Sequence, residues 1–305
     1  MPANPEEIRR VNIAYHDDAA HDYDAKWGIS HGPRGQAQVL RKLQKALGER
    51  PAGFERALEI GAGTGYFSLN LVGSGVVRQA VATDISQGML DRLRTTAREL
   101  GRPVETARCE AAKLPFDDDS FDLVFGHAVL HHLPDLDGAF EEFGRVLRPG
   151  GTLAFCGEPS RYGDRLSALP KAAAMSMASV WRALVGAPRR NGHPGGDNRE
   201  PDEHAMLEWA VDVHSFTPRD LSARARRAGF ERVRISGEEL ASSWFGWTNR
   251  TLESTAEPSG VPVHWHRYAY NGYLALQAVD RALLEPRLPA AIFYNLLLSA
   301  RAPAR

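Results

Sequence analysis

Cysteine is scarce in this 305-residue chain, which holds only Cys109 and Cys156. Two are too few for a disulfide framework, an iron–sulfur cluster or a cysteine-built zinc site, so the chemistry falls to other groups and the cytoplasm is the expected compartment. Charge of one sign is lacking too. The 37 Lys and Arg face 38 Asp and Glu, a net charge of −1. That leaves no global field to hold a polyanion, and nucleic acid is not an expected partner. Long apolar runs are also missing. The opening MPANPEEIRRVN is polar where an export signal needs an apolar stretch. The most apolar segments, Ala172 to Trp181 and Ala290 to Leu298, stop well short of the roughly 20 residues that a membrane span needs. No transmembrane segment is expected.

What the chain has is alternation. From Phe54 onward, short apolar runs trade places with longer amphipathic ones, the pattern of strands and helices wound about a parallel sheet. Strands are expected at Ala57–Gly61, Ala80–Ile85, Val104–Cys109, Phe121–Ala128 and Thr152–Cys156. Helices are expected at Tyr66–Val72, Gln87–Leu100 and Leu136–Leu147, the last stopped by Arg148-Pro149-Gly150-Gly151. The alternation breaks at Glu158. Residues 160 to 187 read as helix, and 188 to 203, rich in Gly, Pro and charge, as a mobile loop. Thr217 then reads as an N-cap with Pro218 at the first helical position. Strands follow at Arg232–Ser236 and Ile292–Ala300, on either side of an aromatic-rich insertion.

The sharpest local signal is Leu58-Glu59-Ile60-Gly61-Ala62-Gly63-Thr64-Gly65-Tyr66-Phe67, a strand running into a glycine turn and then a helix. Such a turn presents bare backbone and a helix N-terminus to a nucleotide-like ligand. Taken alone, it also fits an ordinary strand–helix connection. A dinucleotide-binding turn has its third glycine five residues after the first, whereas Gly65 comes four after Gly61 and the bulky Tyr66 follows it.

The segment Glu59 to Gly65 resembles the first motif of the class I S-adenosylmethionine-dependent methyltransferases. Further motifs follow in that family's order. Val81-Ala82-Thr83-Asp84-Ile85-Ser86 resembles its second strand, ending in the acid that holds the ribose hydroxyls; a carboxylate offers acceptors to two vicinal donors. Glu110-Ala111 resembles the Asp-Ala pair that meets the adenine, with Glu110 one methylene longer. Ser120 to Val124 with Leu130-His131-His132-Leu133 is similar to the fourth strand and its exit, and Leu147 to Leu153 to the turn into the fifth.

The resemblance implies an α/β fold: a Rossmann-like seven-stranded sheet with helices on both faces and a seventh strand running antiparallel. It implies a donor site of Glu59, Gly61, Ala62, Gly63, Gly65, Asp84, Ile85, Glu110, Ala111 and His127. The chain divides into an N-terminal helical segment (1–50), the first half of the sheet domain (51–159), insertions at 160–215 and 241–289, and the rest of the sheet domain (216–240 and 290–305). The N-terminal segment and the insertions would form a helical cap, with Tyr15, Tyr23 and Trp27 candidates to line the acceptor pocket or to pack against the sheet. His127 and His131 are the candidate catalytic groups, with packing or capping as the plainer alternative.

The expected reaction is direct transfer of a methyl group from S-adenosylmethionine to a small hydrophobic or aromatic metabolite, leaving S-adenosylhomocysteine. A sulfonium is already an excellent leaving group, so the task is in-line placement in a shielded site, and no metal is expected. Asp117-Asp118-Asp119 reads as a solvated turn, and His264 with His266 as surface residues without a third ligand. A non-catalytic donor-binding protein and a nicotinamide-dependent oxidoreductase are the alternatives.

Overall fold

The central parallel strands are short runs in which Ala57–Ile60 and Ala80–Asp84 are buried throughout. The computed structural model describes residues 5–20, 24, 29–190 and 214–304. Seven strands form one sheet: β1 (Phe54–Ile60), β2 (Val77–Asp84), β3 (Glu105–Arg108), β4 (Phe121–His127), β5 (Leu147–Pro159), β6 (Glu231–Glu238) and β7 (Asn295–Arg301). Their spatial order is β3-β2-β1-β4-β5-β7-β6. The principal helices are α1 (Pro5–Ala19), α2 (Pro33–Leu47), α3 (Tyr66–Gly73), α4 (Gln87–Leu100), α5 (Leu136–Val146), α6 (Arg161–Val185), α7 (Pro218–Arg227), α8 (Ala241–Ser254) and α9 (Val263–Val279).

Side-chain caps fix several helix starts. Ser86 accepts the Met89 N–H at the head of α4, and Asp135 accepts the Gly138 N–H at the head of α5. Thr217 and Asp220 form a reciprocal capping box around Pro218, as the sequence leads one to expect for Thr217. β1, β2, β3, β4 and β5 pair in parallel. β7 runs the other way. The Ser160 N–H donates to the Tyr294 carbonyl and the Ala302 N–H to that of Gly151, so residue numbers rise along β7 as they fall along β5.

The last strand starts at Asn295, not Ile292. Pro289, with φ near −66°, opens a turn of 3-10 helix over Ala290–Ile292, whose amides bond back along the chain and not across to a strand.

The chain forms two compact units. The first comprises the described parts of Met1–Glu158, His204–Ser236 and Leu297–Arg305. Its core packs Val39 and Leu43 of α2 and Phe67 and Leu71 of α3 against Ala57, Val77, Leu123, Phe125 and Ala154. Leu69, Ala82, Leu93 and Ala97 form a smaller cluster with Ala62. The second unit comprises the described parts of Pro159–Glu203 and Gly237–Leu296. It is helical, with its own core of Ala174, Ala178, Trp181, Leu252, Ala256 and Val261.

Candidate active site

Strand register brings the functional residues to one edge. Ile60 pairs with Thr83 and with Gly126, Asp84 pairs with Arg108, and His127 with Cys156. The ends of β1, β2, β3, β4 and β5 are therefore level, and Gly61, Asp84, Glu110, His127 and Glu158 follow them at the carboxyl edge. The order reverses beside β1, which lies between β2 and β4, and ligands of open α/β sheets bind at such a reversal.

The turn after β1 is held in a shape only glycine takes easily. Gly61, Gly63 and Gly65 have φ of +60°, +53° and +89°. A Cβ at Gly61 would lie 2.3 Å from Val129 Cγ2, and one at Gly65 2.7 Å from Leu93 Cγ. A Cβ at Gly63 would meet nothing within 4 Å. Packing requires the outer two glycines, whereas the middle one presents bare backbone to open space. The Ala62 N–H ties the turn to β2 by donating to the Thr83 carbonyl at 2.9 Å.

Gly61→Ala and Gly63→Ala should therefore differ. The first combines overpacking with left-handed strain and should cost roughly 2–4 kcal/mol; the second should cost about 1–2 kcal/mol of strain alone. Equal losses on chemical denaturation would contradict this division.

Asp84 is fixed at both oxygens. Oδ2 accepts the Gly63 N–H at 2.9 Å and Oδ1 the Ser86 N–H at 2.8 Å. Burial pushes its carboxyl up, against the opposing pull of the Ser86 N–H, His16 and the Gly63 N–H. Beyond it lies a cavity of about 450 Å³, walled by Ile13, Ile85, Leu114 and Pro115, with Glu110 and Arg9 among its polar groups. Arg9 Nε lies 2.9 Å from Glu110 Oε2. Ala111 sits in the turn that the Lys113 N–H closes on the Glu110 carbonyl. Burial pushes the Cys109 thiol in this wall up to about 11, which keeps it protonated and poorly nucleophilic at neutral pH.

Glu59, buried beneath the turn, accepts the Ser68 N–H at 3.0 Å. Burial raises its carboxyl from an ordinary 4.5 to about 8. Between these values the folded chain binds more protons than the unfolded one, so Glu59's contribution to stability is complete below about 4.5 and lost as pH rises towards about 8. The Tm of Glu59→Gln relative to the parent should accordingly climb across that interval; a pH-independent difference would count against a buried neutral Glu59.

At the exit of β4, Glu158 is fully buried and gathers four donors. It accepts the N–H groups of Val129 and Leu130 at 3.0 Å and of His131 at 3.2 Å, and its Oε2 lies 2.8 Å from His131 Nδ1. A carboxylate there favours the tautomer with the proton on Nδ1 and the lone pair on Nε2. The His132 ring lies 3.9 Å from that of His131 and edge-on to His16 at 5.8 Å. Burial lowers the His16 pKa despite Asp84 and Asp17 nearby, which favours a neutral imidazole.

Comparison with known proteins identifies the family. The family model described as "Methyltransferase domain" matches residues 58–155. Over 78% of this chain and 77% of the relative, the sequence is 33% identical to the malonyl-[acyl-carrier protein] O-methyltransferase of Methylococcus capsulatus. It is 36% identical to the demethylmenaquinone methyltransferase of Mycolicibacterium gilvum, over 77% of this chain and 90% of that one. The chain belongs to the class I S-adenosylmethionine-dependent methyltransferases. The fold agrees: phosphoethanolamine N-methyltransferase 2 of Haemonchus contortus, solved with S-adenosyl-L-methionine, superposes with a TM-score of 0.56 at 18% identity, covering 94% of this chain and 57% of that one. The nicotinamide alternative is thereby set aside.

In this methyltransferase, His127 is stacked on Phe67, with ring centroids 4.8 Å apart, and meets the edge of Tyr66 at 6.5 Å. Tyr15 is buried and lies edge-on to His16 at 5.1 Å. Tyr23 and Trp27 lie outside the described residues, as do residues 191–203 of the expected loop. Asp118 of the acidic run pairs with Arg145 at 2.8 Å. No helix among the described residues is long and apolar enough to cross a membrane.

Sequence reasoning missed four groups. Arg9 reaches Glu110; His16 faces His132; Asp17 Oδ1 accepts the Gly88 N–H at 3.0 Å and the Ser86 hydroxyl at the positive end of α4; Glu158 holds His131. The advance signals were the expected N-terminal cap, which carries Arg9, His16 and Asp17, and the break in alternation at Glu158. Asp24, a further N-terminal acid, accepts the Thr64 hydroxyl at 2.6 Å.

Proposed function

We propose that the methyltransferase passes a methyl group to a small hydrophobic or aromatic acceptor by one-step in-line displacement, leaving S-adenosylhomocysteine. The open face of Gly63, clamped to Asp84, carries the reading: a left-handed glycine with free space above it and a carboxylate beside it suits a nucleoside with an amino-acid tail. Bound S-adenosylmethionine supplies an activated methyl on a sulfonium sulfur, so the displacement needs no metal and no covalent enzyme intermediate.

The rest is placement. Gly61, Ala62, Gly63 and Gly65 offer backbone to the amino-acid end, with Glu59 supporting the turn from below. Asp84 accepts from the ribose hydroxyls, while Ile85, Glu110 and Ala111 frame the adenine. His127, stacked on Phe67, would lie beside the donor's methyl group. His131, its tautomer fixed by Glu158, receives the proton of a protic acceptor. One thing supports a hydrophobic acceptor: the relative named a demethylmenaquinone methyltransferase, 36% identical over 77% of this chain.

Incubation with labelled S-adenosylmethionine and either a demethylated quinol or a malonyl thioester tests the acceptor class. The reading predicts label in the quinol. Label only in the charged thioester, or in protein or RNA, would contradict it.

A further inference from the structure

Large apolar side chains are exposed on one unit and not on the other. Among the described residues, every exposed large apolar side chain except Leu100 belongs to the second unit. Helix α6 carries the longest run. Its inner face is satisfied, with Ala174, Ala178 and Trp181 buried in the unit's core. Its outer face is not: Leu169 is 62% exposed, Met177 55%, Val180 50% and Leu184 81%. At about 100° per residue these four share one stripe, about 22 Å long, with only Ala and Ser between them along it. No charge interrupts the stripe. Lys171 lies on another side of the helix, its ammonium 3.9 Å from the Trp247 ring centroid, and Arg182 follows at the same angle as Lys171.

Charge of one sign gathers at the ends of the stripe. Between Arg161 and Arg190 stand Arg161, Arg165, Lys171, Arg182, Arg189 and Arg190 against Asp164 alone, in a chain whose net charge is −1. We propose that this face of α6 seats the protein on an anionic lipid surface, with the stripe in the acyl boundary and the bases at headgroup phosphates. A helix lying in that interface needs an apolar face and basic side chains reaching outward, without the length of apolar sequence that spans a bilayer.

A second copy fits the face less well, because two antiparallel α6 stripes would set Arg161 and Arg165 of each against Arg189 and Arg190 of the other. An acidic helix would match bases interleaved with the apolar residues, whereas here Arg161 and Arg165 stand at one end of the stripe and Arg189 and Arg190 beyond the other. The proposal is independent of the acceptor reading, since it concerns a surface that donor binding does not use.

Co-sedimentation of the full chain with vesicles tests it, using phosphatidylcholine alone and phosphatidylcholine mixed equally with phosphatidylglycerol. Binding should favour the mixed vesicles and weaken as salt rises. Leu169→Glu with Leu184→Glu should weaken it about tenfold or more, with affinity for S-adenosylhomocysteine unchanged. Arg161→Gln with Arg165→Gln should reduce the preference for the anionic vesicles. Three results would overturn the proposal: no binding to either vesicle, undiminished binding by the leucine variant, or light scattering that shows a dimer which the leucine variant dissolves.

Discussion

Asp84→Ala should lower the affinity for S-adenosylhomocysteine about 100-fold or more, because two hydrogen bonds to a carboxylate are worth about 1.5–3 kcal/mol each. The same substitution removes the acceptor for the Gly63 N–H at 2.9 Å and loosens the cradle, so both effects act in one direction. Asp84→Asn keeps the side-chain shape and one acceptor oxygen but sets its NH₂ against the Gly63 or the Ser86 N–H, and it should fall between the parent and the alanine variant. Burial raises the Asp84 carboxyl, and ribose hydroxyls donate best to its ionised form. Affinity should therefore decline as pH falls in the parent and be flatter in Asp84→Asn. Calorimetry reads all of this; unchanged affinity in Asp84→Ala would remove the ribose assignment.

The second large effect belongs to His131. His131→Ala should reduce kcat about 100-fold or more on a protic acceptor, the range in which a positioned general base acts. Donor affinity should hold, and added imidazole should restore part of the rate. Glu158→Gln tests positioning. Its carboxylate accepts three backbone N–H groups and faces His131 Nδ1 at 2.8 Å, whereas an amide has one oxygen for these donors and sets its own NH₂ against the rest. The variant should lose kcat and stability together while it still binds S-adenosylhomocysteine. A His131→Ala enzyme with parental kcat would assign His131 to packing.

Much of the edge was legible in the sequence because local order dictates it. A strand that runs into Gly61-Ala62-Gly63-Thr64-Gly65 must turn there, and an acid closing the next strand must stand beside that turn once the two strands pair in parallel. The parallel core strands and Thr217's cap were readable for the same reason: their periodicity and chemistry lie within a few residues. Contacts made over long separations were not. Glu158 lies 27 residues from His131 and Asp17 lies 71 from Gly88, and each looks like an ordinary acid until the fold brings its partner close. The start of the last strand was misread because apolar composition from Ile292 onward does not show that Pro289 would first wind the chain into a turn.

The crevice is most directly tested by a crystal structure of the methyltransferase with S-adenosylhomocysteine. The account requires the amino-acid end over Gly63, the ribose hydroxyls on Asp84 and the adenine in the cavity beside Ile85 and Glu110. Density for the compound elsewhere, with Gly63 and Asp84 untouched, would contradict it.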